Sequence, residues 1–255
     1  MKEMMPKKKV FETPILFVHG AWHGDWCWQN FMEYFSKAGF SCYALELPGH
    51  GERREEAGLK GKTMMDYVRE IEATKGKIGN PIIVGHSMGG FATMKYLERN
   101  KAPAAVLVAP ATFRRLPTIT MIKMIFQYPI EMIRLTLLMP VKVKSEKMYR
   151  HLFLYNAPKK VSEEGFKKSG PESSLALLGL TVPLVWLRPK RVSSPVLLLA
   201  SGHDYFFPPR NERRTARAYK ADFKLYKDIG HNLMTENGWE DVAGDILEWL
   251  KKKVK

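Results

Sequence analysis

Residues 82–90 read Ile-Ile-Val-Gly-His-Ser-Met-Gly-Gly, and no other stretch limits the fold so tightly. An apolar run, 82–84, enters the pattern Gly85-His86-Ser87-Met88-Gly89, and a helical stretch over 88–99 leaves it. A G-x-S-x-G sequence in that setting makes a sharp strand-to-helix turn with a strained, outward-pointing serine at its apex. The positions two residues to either side must be glycine, because the backbones pack too closely there for a Cβ. The bare pattern is common by chance, so the strand before it and the helix after it carry the weight.

The rest of the chain repeats that alternation. Short apolar runs at 14–18, 41–47, 105–108, 195–200 and 223–226 have the length and residue types of strands. Between them lie helical patterns at 26–38, 63–75 and 240–252. The second puts Met64, Tyr67, Val68 and Ile71 on one face, and the third puts Val242, Ile246, Trp249 and Leu250 there. Strands alternating with helices imply a parallel sheet covered on both faces. The alternation breaks between Ala111 and Ser194, where the pattern is helical, Met-rich, basic and interrupted by prolines. The expected architecture is an α/β core from residues 1–111 and 194–255, with residues 112–193 inserted as a helical cap, or lid, above the strands' C-terminal ends.

With 255 residues, 45% hydrophobic and 26% charged, the chain can bury a core without disulfides or a metal. Cys27 and Cys42 are its only cysteines. They make no disulfide framework and read as buried small hydrophobes in a reducing compartment. The N-terminus has basic residues but no apolar run behind them. The greasiest stretch, 116–143, is interrupted by Lys123, Pro129, Glu131 and Arg134, which makes it a poor membrane span. A cytoplasmic enzyme is the expectation.

A serine hydroxyl is a weak nucleophile and needs a base, with a third group to orient that base. In a sheet of this kind acid and histidine follow the serine along the chain. Three histidines do so: His151, His203 and His231. His231 follows the last strand and can reach across the sheet edge. His151 lies in the inserted segment, and His203 adjoins the acid candidate. That candidate is Asp204, which ends the run 197–204 ahead of Pro208 and Pro209. Asp228 competes, but only three residues separate it from His231. The backbone N–H groups of Met88, after the nucleophile, and Ala21, in the first strand–helix loop, are the candidate oxyanion donors. His19 reads as a hydrogen-bonded structural histidine of that loop.

At these residues the chain resembles the α/β-hydrolase superfamily. The resemblance is carried by His19-Gly20-Ala21-Trp22-His23-Gly24-Asp25-Trp26, Pro48-Gly49-His50-Gly51, the elbow at 85–90, the segment 202–208 and Gly230-His231. It spans nearly the whole chain except the insertion. The monoacylglycerol lipase and lysophospholipase group and the plant methylesterase and hydroxynitrile lyase group look most similar. The resemblance implies a mostly parallel sheet with helices on both faces, a helical cap after the fourth core strand, a Ser87–Asp204–His231 triad, and Ala21 and Met88 as oxyanion donors. Only about a dozen residues precede the first core strand, so the early antiparallel strands of the fuller pattern are expected to be missing.

The function implied is hydrolysis of carboxylic esters with an apolar or lipid-like acyl group, through an acyl-enzyme on Ser87, with no cofactor and no metal. The alternatives are hydroxynitrile or carbon–carbon bond cleavage on the same triad, and a non-catalytic ligand receptor. Trp22, Met121, Met124 and Met132 are candidate substrate contacts. Met139, Ile122, Ile125 and Leu135 share the helical spacing, which serves a core filler as readily as an acyl pocket. The net charge is +15, and residues 112–191 alone carry +10, with 15 Lys/Arg against 5 Asp/Glu. A solvated basic face accounts for that, as does weak attraction to anionic substrates, membranes or lipids. No nucleic-acid-binding signature accompanies it. The oligomeric state is not legible.

Overall fold

The apolar runs form the middle of one seven-stranded sheet, described in a computed structural model for residues 1–51, 58–113, 117–182 and 184–254. Its strands are β1 (Lys2–Met4), β2 (Ile15–Val18), β3 (Cys42–Leu45), β4 (Ile82–His86), β5 (Ala105–Val108), β6 (Val196–His203) and β7 (Asp222–Gly230), in the spatial order β1-β3-β2-β4-β5-β6-β7. All neighbours pair in parallel except β1, which runs antiparallel to β3, with Lys2 opposite Ala44 and Met4 opposite Cys42. One early antiparallel strand is therefore retained, contrary to expectation. Its three residues bury none fully, Met4 only partly, so no hydrophobic alternation announces it.

Every residue of β2, β4 and β5 is buried, as a parallel sheet covered on both sides requires. Side chains alternate between faces along each strand. Ile15 and Phe17 of β2 belong to one cluster, Leu16 and Val18 to the other. Helix α1 (Gln29–Lys37) covers the first face, entered through a 3-10 turn at Asp25–Trp28. Helices α2 (Met64–Ile78) and α3 (Ser87–Leu97) cover the second. The Phe17 ring lies 5.1 Å from Trp28 and 6.1 Å from Phe35. Each such fully buried side chain contributes roughly 1.5–3 kcal/mol.

Between β5 and β6 the described residues leave the sheet for five α-helices, α4 (Thr118–Gln127), α5 (Pro129–Thr136), α6 (Glu146–Phe153), α7 (Lys159–Lys168) and α8 (Ser174–Thr181), and a 3-10 turn at Pro189–Arg191. Pro129 separates the first two, since its ring cannot continue the α4 hydrogen-bond ladder but fits the first turn of α5. Ser145 and Ser173 cap α6 and α8, accepting bonds from the backbone N–H groups of Met148 and Ala176. Helix α9 (Pro209–Tyr219) then packs on β6. Helix α10 (Trp239–Lys253) closes the chain beside α1, with Val242, Ile246 and Leu250 buried. The inserted helices leave from the C-terminal end of β5, between β4 and β6, at the sheet edge where parallel α/β folds bind ligands.

Candidate active site

Ser87 occupies the turn between β4 and α3 with φ +50. This left-handed conformation strains a residue bearing a Cβ. The turn is held by close packing that only glycine permits. A Cβ on Gly85 would lie 2.5 Å from Thr93 Oγ1 and 2.8 Å from the Gly89 carbonyl oxygen. On Gly89 it would lie 2.5 Å from the Val18 carbonyl oxygen and press on that of His19. A Cβ on Gly20 would lie 2.9 Å from the Ser87 Cβ. The loop after β2 is thereby packed directly on the elbow, with Ala21 beside the serine. Ser87 and Met88 open α3, where backbone N–H groups lack intrahelical acceptors and the helix dipole favours negative charge.

Asp204 follows β6 and His231 follows β7, and their side chains meet. His231 Nδ1 donates to Asp204 Oδ2 at 2.6 Å, with both side chains buried. The second carboxylate oxygen accepts the backbone N–H groups of Phe206 and Phe207 at 2.7 and 2.9 Å. With Nδ1 donating, His231 Nε2 carries the lone pair. That nitrogen is buried and has no hydrogen-bond partner among the described residues. The competing residues lie elsewhere. Asp228 is exposed on β7, His151 is exposed and paired with Tyr128, and His203 is exposed and stacked on Tyr155.

Ser87 opens into a cavity of about 650 Å³, mouth included. Ala21, Trp22, Met121, Met124 and Met132 all line it, as does Leu135. Ile122, Ile125 and Met139 do not; they are 43–49% exposed on the outside. Helices α4 and α5 are apolar on both faces, so spacing alone could not tell inward from outward positions. Among the described residues lining the cavity, Glu131 is the one with a charge, and Lys144 stands 3.0 Å from its carboxylate.

The sequence is matched over residues 15–245 by a family model described as the alpha/beta hydrolase family. The chain belongs to the alpha/beta hydrolase family. Among curated proteins it is similar to the esterase PIR7B of Oryza sativa subsp. japonica, 32% identical over 101 residues. That alignment spans 38% of this chain and 38% of the relative's length. Among solved structures, the methylesterase MES16 from Arabidopsis superposes with a TM-score of 0.72 at 18% identity, covering 94% of this chain and 99% of that one. The monoacylglycerol lipase of Paleococcus ferrophilus superposes with a TM-score of 0.71 at 22% identity, covering 98% of each chain. At those identities the superpositions establish the shared fold.

In this alpha/beta hydrolase the loop bearing Ala21 is held from the inserted segment by residues the sequence did not single out. Glu172, just ahead of α8, is completely buried. One of its oxygens accepts from His50 Nε2 at 2.8 Å and from the backbone N–H of Trp22 at 3.3 Å. The other accepts from the Tyr67 hydroxyl and the Ser173 N–H, each at 2.7 Å. Trp22 has φ +64, and its indole N–H donates to the Val141 carbonyl at 3.0 Å. Burial disfavours a charge on His50, but Glu172 and the bonds to Glu172 and Pro48 outweigh it and raise its pKa. A buried imidazolium–carboxylate pair thus ties the 48–51 loop, the Ala21–Trp22 loop and the inserted segment together.

Three other buried histidines stay neutral. Burial first, then the charge on His50, pushes His19 well below 6.5. Its Nε2 accepts the Leu47 N–H at 3.1 Å, the structural role expected of it. Burial lowers His23 to about 4, although its bond to the Ala21 carbonyl opposes the shift. Its Nε2 meets Asn232 Nδ2 at 2.9 Å and the Tyr149 hydroxyl at 3.1 Å. Burial and neighbouring His231 likewise lower His86, whose Nε2 donates to the His231 carbonyl at 3.1 Å. The loop carrying His231 is held as well: Glu236 accepts the backbone N–H groups of Gly230 and Tyr155.

Proposed function

We propose that this chain hydrolyses carboxylic esters through an acyl-enzyme on Ser87. The observation that carries the reading is the 2.6 Å contact between His231 Nδ1 and Asp204, which leaves a buried, unpartnered Nε2 at the sheet edge that also bears the strained serine. In this reading Ser87 Oγ attacks the acyl carbon while His231 Nε2 takes its proton. The N–H groups of Ala21 and Met88 hold the oxyanion, each such donor contributing about 3–4 kcal/mol. His231 returns the proton to the departing alcohol. Water then repeats the sequence and releases the acid. Asp204 keeps the imidazole oriented and stabilises its charged form.

The inserted helices of residues 112–193 act as a cap over the site, and the acyl chain lies against Trp22, Met121, Met124 and Met132. The name of the rice relative, an esterase, supports the reaction class. Hydroxynitrile cleavage calls for a cationic group in the pocket, and the charged side chain on its wall is an acid, Glu131. A non-catalytic receptor has no use for the oriented histidine. Cys27 and Cys42, both buried and free, suit a reducing compartment such as the cytoplasm.

The test is a series of p-nitrophenyl esters from acetyl to hexanoyl. Each buried methylene contributes about 0.8 kcal/mol, so kcat/KM rises along the series for an acyl-binding cavity. A flat or falling profile counts against it.

A further inference from the structure

Helices α4 and α5, which roof the cavity, are apolar twice over. A surface helix usually carries one apolar stripe, facing the core. Here Met121, Met124, Met132 and Leu135 form the inward stripe along the cavity. The outward stripe is apolar too, with Ile119, Ile122, Ile125 and Phe126 on α4 and Ile130 and Ile133 on α5. Phe126 is 81% exposed. Nine of the sixteen exposed large apolar side chains among the described residues fall within positions 119–139. Clustering of that kind marks an interaction surface rather than scattered surface hydrophobes.

Charge says what the surface meets. Lys123 follows Ile122, Arg134 follows Ile133, and Lys142 and Lys144 are exposed just beyond α5. The surrounding segment 112–191 carries +10. A second copy brings a second basic face against the first, so like charges oppose self-association through this patch. An anionic lipid surface supplies both an apolar layer for the isoleucines and opposite charge for the lysines. The helices have 10 and 8 residues, far short of the roughly 20 needed to cross a bilayer. Among the described residues no helix is long and apolar enough to cross a membrane. Lying in the interface, with apolar side chains sunk to the acyl boundary and basic ones at the headgroups, is the arrangement open to them.

We propose that the outer face of α4 and α5 docks this protein on anionic lipid surfaces. The docked cavity then takes esters carried in the lipid. This use of the surface rests on the ester-hydrolase reading; the docking does not.

The test uses the full chain with vesicles of equal parts phosphatidylglycerol and phosphatidylcholine, against vesicles of phosphatidylcholine alone. Flotation should recover the protein with the anionic vesicles, less so as salt is raised. Ile122→Ser with Phe126→Ser, and separately Lys123→Glu with Lys142→Glu, should each weaken binding at least about tenfold. Turnover of a soluble short-chain ester should be unchanged in both variants, while turnover of a vesicle-borne ester falls with binding. Equal recovery with both vesicle types, or undiminished binding by both variants, overturns the docking. A dimer in light scattering that Phe126→Ser dissolves, without vesicle binding, overturns it in favour of a second copy. Vesicle binding without hydrolysis of any ester keeps the docking and removes the ester-hydrolase reading. Hydrolysis without vesicle binding does the reverse.

Discussion

Glu172→Gln removes one buried charge and leaves His50 without its counter-ion. The two side chains are wholly buried and 2.8 Å apart. Breaking a buried pair costs about 3–5 kcal/mol where the partner is left charged; burial drives His50 to shed its proton once Glu172 is neutral, so that figure is the ceiling. The glutamine must also turn a donor amide toward either His50 and Trp22 or Tyr67 and Ser173, where all four groups donate. At roughly 2–4 °C per kcal/mol for a chain of this size, Tm should fall, by at most about 20 °C. His50→Gln removes the cation but leaves the carboxylate its bonds from Trp22, Tyr67 and Ser173, and should cost less. The double variant leaves no charge behind, so its loss should fall short of the two singles summed by more than about 1 kcal/mol. Calorimetry and urea unfolding of the three variants decide it. Singles that each cost less than about 1 kcal/mol and add without coupling refute the buried ion pair. The kinetics give a second reading: Glu172 holds the Trp22 N–H next to Ala21, so kcat should fall more than KM rises.

Gly89→Ala forces a Cβ against two backbone carbonyls; overpacking of this kind costs typically 1–3 kcal/mol, so urea unfolding should show at least that loss, accompanied by reduced ester turnover. Asp204→Asn should leave the unfolding midpoint nearly unchanged while kcat falls about 10⁴-fold, since the amide no longer fixes the histidine tautomer; an equal effect from Asp228→Asn would move the acid. Acid should destabilise the fold: His23 is neutral in the fold down to about pH 4 but charges near 6.5 when unfolded, so its contribution is complete above 6.5 and lost as pH falls toward 4. At about 1.4 kcal/mol per unit that is about 3 kcal/mol for His23, and His19 and His86 act in the same direction. His50 acts oppositely, its contribution present below 6.5 and lost as pH rises through its raised folded pKa. A urea midpoint no lower at pH 4.5 than at pH 7 contradicts the neutral-histidine assignment.

What the sequence disclosed followed from patterns of short range. Ile82-Ile83-Val84 could be read because a strand buried on both faces is a continuous apolar run. Gly85 and Gly89 could be read because steric demand leaves one residue type. Asp204 and His231 stood out because each lies a few residues past a strand-like run, at 195–200 and 223–226. The unread parts lack local pattern. Helix α9 buries Glu212, Thr215, Ala216 and Tyr219, so its inner face shows no apolar period. Glu172 reaches His50 across 122 positions, and a single glutamate in Gly170-Pro171-Glu172 carries no periodicity at all. Ile122 and Ile125 were grouped with the pocket methionines because hydrophobicity was the only available criterion. Their outward placement depends on what packs beneath the helix, which composition does not encode.

Covalent labelling of Ser87 tests the central claim most directly. A fluorophosphonate reacts with a serine whose hydroxyl is activated by an oriented base and whose oxyanion is held by preorganised donors. Intact-mass measurement of the folded protein should show one adduct. Peptide mapping should place it on the peptide containing Ser87, and Ser87→Ala should abolish it. No adduct on folded protein, or an adduct on another residue, contradicts nucleophilic catalysis at the elbow.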